Sequence, residues 1–162
     1  MQPVGDINAE APEITAKAGL LYSLDIDEAV YAKNADKEYD PYSVTKLVTA
    51  TVVAEHADMS KVVTVSKDAA DDIADGSTID LEPGEKITIE ELMYGALLES
   101  GNDAAYALAE GTTGDYDEFI DLMNETVEEW GCTNTHFTNS MGLKSSKHYP
   151  TCNDLVIIVR HA

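Results

Sequence analysis

The 162-residue sequence predicts a single domain with an α+β fold, and three observations lead to this prediction. Several segments repeat apolar residues at the three- and four-residue spacing of helices. Shorter runs rich in Val, Ile, Leu and Tyr, bounded by Gly, Pro, Asn or Asp, have the composition of strands. Apolar residues make up 44% of the chain, which at this length is enough to bury a core.

The N-terminal region predicts an extended leader followed by a β-hairpin. Residues 1–17 are polar and contain prolines, and the hairpin strands are expected at residues 18–23 and 29–33, around the acidic turn Asp25–Glu28. The leader lacks the basic start and apolar core of a signal peptide, and no apolar run approaches the ~20 residues of a membrane span. The compartment stays open, because Met1 also fits an expression start placed on a mature exported chain.

Residues 43–56 predict a central helix that is buried on most sides. An apolar i, i+4 face is formed by Leu47, Val48, Thr51 and Val52. The segment is rich in β-branched residues, which are poor helix formers when exposed, and burial would compensate for this.

The remaining elements follow from local signals. Thr88 and Glu91 have the spacing of a capping box, which predicts a helix from Ile89 to about Glu99. The other predicted elements are strands at residues 62–65 and within 81–89, helices at 103–110 and 116–130, a loop at 139–149, and a helix or buried strand at 154–162.

The charge of the chain excludes two classes of partner. Lys and Arg number 10 against 31 Asp and Glu, and the formal net charge is −21. Such a surface repels phosphate backbones, so we expect neither nucleic acid nor an anionic membrane as a direct partner. We expect no metal or cofactor, because the Cys and His spacings do not match a zinc site and the acidic clusters, such as Asp71-Asp72 and Glu128-Glu129, lack a calcium-loop pattern.

The cysteines, histidines and several tyrosines have structural interpretations. Cys132 and Cys152 can pair in one way, and we expect free thiols, because a buried free cysteine behaves as a small hydrophobe. No spacing pairs the histidines, and most of them are predicted to be surface or packing residues: His56, His136, His148 and His161. Packing is also predicted for Tyr22, Tyr31, Tyr39 and Tyr42.

Ser43-Val44-Thr45-Lys46 is a Ser-x-x-Lys tetrad at the start of the predicted central helix. Residues i and i+3 share a helix face, so the amine of Lys46 can reach the hydroxyl of Ser43. A lysine whose charge is disfavoured by burial can serve as the base for such a serine. The alternative is a serine cap beside an exposed lysine, and the tetrad alone does not exclude it.

Ser100-Gly101-Asn102 interrupts two predicted helices. A loop of this kind can present a proton-shuttling serine and an amide that hydrogen-bonds a substrate carbonyl. The alternative is an ordinary helix–helix junction, where Ser, Gly and Asn are favoured by their backbone conformations.

Together these motifs resemble a known family. Residues 34–50, which include Asn34-Ala35-Asp36-Lys37 and Pro41-Tyr42-Ser43-Val44-Thr45-Lys46, are similar to the nucleophile segment of the low-molecular-mass penicillin-binding proteins, the serine D-Ala-D-Ala carboxypeptidases. Residues 88–105 resemble the second motif of that family in its helical setting, and residues 119–124 and 135–155 continue the match. The resemblance covers nearly all of residues 18–162, with the order of the motifs intact.

The resemblance implies the transpeptidase fold of penicillin-binding proteins and serine β-lactamases. It implies an exported, cell-envelope enzyme that removes the terminal D-Ala of peptidoglycan stem peptides and is acylated by β-lactams. Residue by residue, Ser43 would be the nucleophile, Lys46 its general base, Ser100 a proton relay to the leaving group, and Asn102 the residue that binds the substrate amide.

Three departures from the family pattern limit the expected activity. Tyr42 stands where Ala is usual and is expected to narrow the entry to Ser43, and Met141 replaces a His of many relatives, which puts a secondary contact in doubt. The chain contains no Lys-Thr-Gly, the triad that in the family binds the substrate carboxylate on a later strand and supplies an oxyanion-hole N–H. We therefore expect residues 18–162 to be a partial catalytic domain, without the later sheet strands and the C-terminal membrane anchor.

Loss of one oxyanion donor costs ~3–4 kcal/mol, or about 10²–10³ in rate, so we expect these residues alone to hydrolyse a D-Ala-D-Ala peptide barely or not at all. An unpaired sheet edge is also expected to favour self-association. Two alternatives remain open. One is a non-catalytic scaffold or binding domain with the same fold, and the other is a β-lactamase, which fits residues 34–50 and 88–105 less closely.

Overall fold

The computed structural model describes residues 11–71 and 76–162, and within these ranges the predicted α+β class is confirmed. The strands are β1 (Gly19–Ser23), β2 (Glu28–Lys33), β3 (Val62–Thr64) and β4 (Lys86–Thr88). The helices are α1 (Thr45–His56), α2 (Lys67–Asp71), α3 (Ile89–Leu98), α4 (Asn102–Thr113), α5 (Tyr116–Glu129) and α6 (Cys152–His161), with a short 3₁₀ turn at Tyr42–Val44.

The N-terminal hairpin forms as predicted. Strands β1 and β2 pair antiparallel, with Gly19 opposite Lys33 and a bulge between Leu21 and Tyr22. Residues 11–17 contain no helix or strand and lie beside the hairpin, where the amine of Lys33 donates to the carbonyl of Ile14 at 2.7 Å. The first ten residues of the predicted leader lie outside the described part of the chain.

A second antiparallel pair, β3 and β4, leads directly into α3. Val62 lies opposite Thr88, the last residue of β4 and the N-cap of the helix. The predicted capping box is present: the backbone N–H of Glu91 donates to Thr88 Oγ1 at 3.2 Å, and the N–H of Thr88 donates to Glu91 Oε2 at 2.9 Å. These bonds satisfy N–H groups that the first helical turn leaves without partners, so the start of α3 is set locally.

Helix α1 is central, as predicted, because it contacts α3, α4, α5 and α6. Its buried face includes Val48 and Val52, two of the four residues of the predicted apolar face. Val48, Val52 and Val53 are fully buried, whereas Leu47 is 37% exposed, so assigning Leu47 to the core face was wrong. At 3.6 residues per turn, Leu47 and Thr51 share a stripe beside the buried face rather than on it.

Small residues bring α3 and α4 close together. Gly95 of α3 faces Ala104 of α4, and a Cβ added at Gly95 would lie 3.2 Å from the Cβ of Ala104. The first helical turns of α4 bury Ala104, Ala105 and Ala107 almost completely. This close packing holds the intervening loop at residues 99–101 against the N-terminus of α4.

The C-terminal segment is a helix, α6, which decides between the two predicted alternatives. Its N-cap, Thr151, accepts from the backbone N–H of Asp154 at 3.2 Å. Cys132 and Cys152 are both free thiols, in agreement with the expectation. Helix α2 was not predicted, because its described residues, Lys67–Asp71, are too few to show a periodic pattern. None of the helices described is long and apolar enough to cross a membrane.

The excess of negative charge predicts that salt stabilises the fold. At a net charge of −21, like charges repel one another in the compact state, and salt screens that repulsion. We expect the melting temperature at pH 7 to rise by several degrees between low salt and 1 M NaCl, which corresponds to about 1 kcal/mol or more. Asp121→Lys, which changes an exposed helical site, is expected to weaken the dependence. A melting temperature that does not respond to salt would contradict this prediction.

Candidate active site

The candidate nucleophile lies on a strained turn immediately before α1. Tyr42 has a φ of +49°, a left-handed conformation that is costly for a bulky residue, and Ser43 follows it exposed to solvent. Gly142 packs against this turn with a φ of +93°, and a Cβ there would collide with the carbonyl of Tyr42. The turn and the Gly142 segment therefore fit together only with glycine at that position.

Lys46 is held by three acceptors at the bottom of the site. Its side chain is 3% exposed, and Nζ donates to Asn102 Oδ1 at 2.7 Å, to the carbonyl of Met141 at 2.9 Å and to Ser43 Oγ at 3.5 Å. An ammonium group has three N–H donors, so all of them are used. Burial lowers the pKa of Lys46 to about 8, against the opposing effect of the negative charge of Asp103. A neutral amine able to accept a proton is therefore accessible near neutral pH.

The loop between α3 and α4 brings Ser100 to the nucleophile. Ser100 adopts a φ of +57°, and its hydroxyl donates to Ser43 Oγ at 2.9 Å. The N–H of Gly101 donates to the carbonyl of Gly95 at 3.0 Å, which closes the loop over the end of α3. Asn102 is the first residue of α4 and contacts Lys46 as given above. The four residues singled out in the sequence thus meet at one place.

Asp103 fixes the chain on the other side of Asn102. It is 1% exposed, and its two carboxylate oxygens accept the backbone N–H groups of Ile79 and Leu81 at 3.1 Å. The N–H of Asn102 donates to the carbonyl of Ser77 at 2.8 Å, so the segment at residues 77–81 is tied to the start of α4.

A cleft of about 340 Å³ opens beside Ser43. Its lining consists of Tyr42, Ser43, Gly76, Ser77, Asn102, Met141, Gly142, Leu143 and Lys144. Tyr42 is 60% exposed in this lining, so the prediction that it packs was wrong; the left-handed turn holds it outside the core. Lys144 forms an ion pair with Asp40 at 3.1 Å.

Sequence reasoning missed the second set of contacts made by α1. Thr49 Oγ1 donates to the carbonyl of Ser140 at 2.6 Å, and Thr45 Oγ1 lies 2.9 Å from Nε2 of His148. His148, treated above as an unpaired histidine, is 1% exposed and contacts the Ser-x-x-Lys tetrad itself. Its partner is 103 positions away, so no spacing in the sequence could have indicated the contact.

Comparison with known proteins agrees with the resemblance. The family model for D-alanyl-D-alanine carboxypeptidase, peptidase family S11, matches residues 6–162. D-alanyl-D-alanine carboxypeptidase DacF of Bacillus subtilis is 37% identical over 150 residues, covering 90% of this chain and 38% of the relative. DacC of Escherichia coli is 34% identical over 158 residues, and the match covers 92% of this chain and 40% of the relative. The chain therefore spans about two fifths of the length of these relatives.

Solved structures give the same answer for the fold. Penicillin-binding protein 5 of Haemophilus influenzae superposes with a TM-score of 0.88 at 31% identity, covering 94% of this chain and 46% of that one. A D-alanyl-D-alanine carboxypeptidase of Mycobacterium tuberculosis superposes with a TM-score of 0.88 at 29% identity. The match covers 100% of this chain and 60% of that one. The predicted penicillin-binding-protein fold is confirmed over the region shared with these structures, and the chain belongs to the D-alanyl-D-alanine carboxypeptidase family.

Proposed function

We propose that this chain carries the acylation site of a serine D-Ala-D-Ala carboxypeptidase, with Ser43 as the nucleophile. The observation that supports it most directly is the convergence on Ser43 Oγ, which lies 2.9 Å from the hydroxyl of Ser100 and 3.5 Å from the amine of Lys46. A serine with a base within reach, and a second group to pass on the proton, is the arrangement that covalent acyl transfer requires.

In the proposed reaction, neutral Lys46 takes the proton of Ser43 while Ser43 Oγ attacks the carbonyl carbon of the penultimate D-Ala. The peptide C–N bond then breaks, and the proton passes through Ser100 to the amine of the departing D-Ala. Water hydrolyses the resulting ester and restores the serine. Asn102 holds the amine of Lys46 through Oδ1, and we assign its side chain to binding the substrate amide as well.

The proposed substrate is the D-Ala-D-Ala end of a peptidoglycan stem peptide, and the proposed location is outside the cytoplasm, in the cell envelope. Both are supported by the relatives, which are named as D-alanyl-D-alanine carboxypeptidases and penicillin-binding proteins. β-Lactams mimic the acyl donor, so the same serine is proposed to be acylated by them.

Covalent labelling of the 162-residue chain with a fluorescent penicillin tests the proposal. High concentration and long incubation are appropriate, because the chain holds no Lys-Thr-Gly and a stoichiometric adduct accumulates even when acylation is slow. We expect one label per chain, located by mass spectrometry on the peptide that contains Ser43. Unlabelled penicillin should block it, whereas penicillin with a hydrolysed lactam ring should not. A folded chain that takes no label, or takes it on another residue, contradicts the proposal and favours a non-catalytic scaffold.

A further inference from the structure

We propose that His148 is a positioning residue of the acylation site, which acts through Thr45 to hold Ser43 and Lys46 in place. The inference rests on the proposed acylation of Ser43. His148 does not line the cleft, and its imidazole is buried, with an exposed fraction of 1%.

The hydrogen bonds of His148 define its tautomer. The backbone N–H of Thr138 donates to Nδ1 at 3.0 Å, so the ring proton lies on Nε2, which donates to Thr45 Oγ1 at 2.9 Å. The ring also packs edge-on against Phe137, with the centroids 5.3 Å apart. The pKa of His148 is lowered to about 4, mainly by burial and also by His136, while the charge of Asp40 opposes the shift. The imidazole is therefore neutral and fixed in orientation at neutral pH.

Thr45 transmits this anchoring to the reacting groups. It lies between Ser43 and Lys46, begins α1 and is 1% exposed. The segment that contains His148 also supplies the Met141 carbonyl that binds Lys46, as well as the Ser140 carbonyl bound by Thr49. The start of α1 is thus docked at three points onto one segment, and the His148 contact is the one closest in sequence to the nucleophile.

Such anchoring matters because acyl transfer depends on distances at the reacting atoms. The amine of Lys46 lies 3.5 Å from Ser43 Oγ, so a small further displacement would break the contact. A misplacement of about 1 Å in an active site costs about 10²-fold in rate.

Two amide substitutions distinguish the contributions of the two ring nitrogens, Nε2 and Nδ1. The terminal amide of Gln reaches the position of Nε2 and can still donate to Thr45. The shorter Asn places its amide oxygen near the position of Nδ1, where it accepts from the N–H of Thr138, and does not reach Thr45. Each variant leaves one buried partner unsatisfied, so both should lose stability to a similar extent. We expect His148→Gln to label with fluorescent penicillin within about 3-fold of the unmodified chain, and His148→Asn to label about 10- to 100-fold more slowly.

Thr45→Val provides the matching change on the other side of the contact. It should slow labelling as much as His148→Asn, and the double variant should be no slower than either single one. Equal rates for the two His148 variants, or rates that follow thermal stability alone, would overturn the proposal.

A readout independent of acylation distinguishes this inference from the proposed function. The ¹³Cε resonance of Lys46 reports the surroundings of its amine and can be followed in labelled protein. It should move in His148→Asn and Thr45→Val but not in His148→Gln. If the unmodified chain takes no penicillin, the proposed function fails while the resonance still decides the positioning role. An unchanged resonance in all three variants would refute that role.

Discussion

Replacing Lys46 with methionine is expected to slow the proposed acylation of Ser43 by about 10²–10⁴-fold, the usual contribution of a general base. Methionine has a similar length and no charge, so it occupies the same space without accepting a proton. The assay is the rate of labelling with fluorescent penicillin, with Lys37→Met at an exposed position as the matched control. Labelling of Lys46→Met at an unchanged rate would exclude this residue as the base.

The fold is expected to tolerate this change. With the folded pKa of Lys46 near 8 and a usual value of 10.5, the unfolded chain binds the proton more tightly between these values. Burying the charged lysine therefore costs about 3 kcal/mol at neutral pH, and this cost disappears as the pH rises through 10.5. Methionine removes this cost but also removes the hydrogen bonds that Lys46 donates to Asn102 Oδ1 and to the Met141 carbonyl, so the two effects oppose each other.

The same pKa predicts the pH profile of acylation. In the proposed reaction only neutral Lys46 takes the proton of Ser43, so the rate should rise about tenfold per pH unit below pH 8 and level off above it. The profile is measured by labelling across pH 6 to 10. A rate that is flat across this range would mean that no group with the pKa of Lys46 controls the step.

Features encoded locally could be predicted from the sequence. The capping box of Thr88 and Glu91 and the i, i+3 relation of Ser43 and Lys46 both depend on residues within one helical turn. The position of Ser100 beside Ser43, across 57 positions of the chain, was reached only through the family resemblance. From spacing alone, the Ser43–Lys46 tetrad could also be a serine cap beside an exposed lysine, and residues 100–102 an ordinary helix–helix junction.

The contacts that support the site could not be predicted in this way. Thr45 meets His148 across 103 positions, and Asp103 meets Ile79 across 24, because these pairs adjoin only after the helices pack. The same limit explains Leu47, whose exposure depends on which side of α1 its neighbours cover. Tertiary packing, not periodicity, decides all of these positions.

Asp103 is expected to make a larger contribution to stability than any of the groups that we propose to react. Its carboxylate accepts the N–H groups of Ile79, Leu81 and Ala104 in a nearly solvent-free position. In Asp103→Asn, the amide NH₂ would point at a backbone donor and leave it unsatisfied, at a cost of about 3 kcal/mol. We expect the melting temperature to fall by about 6–12 °C for a chain of this size.

A second expected effect of Asp103→Asn arises from the lost negative charge of the carboxylate rather than from its lost hydrogen bonds. Because the carboxylate raises the pKa of Lys46, its removal should shift the acylation profile toward lower pH. Asp121→Asn, at an exposed position on α5, should change neither the melting temperature nor the profile appreciably. If Asp103→Asn melted like the unmodified chain, the segment at residues 77–81 would need another anchor, and the wall of the cleft beside Asn102 would not depend on this carboxylate.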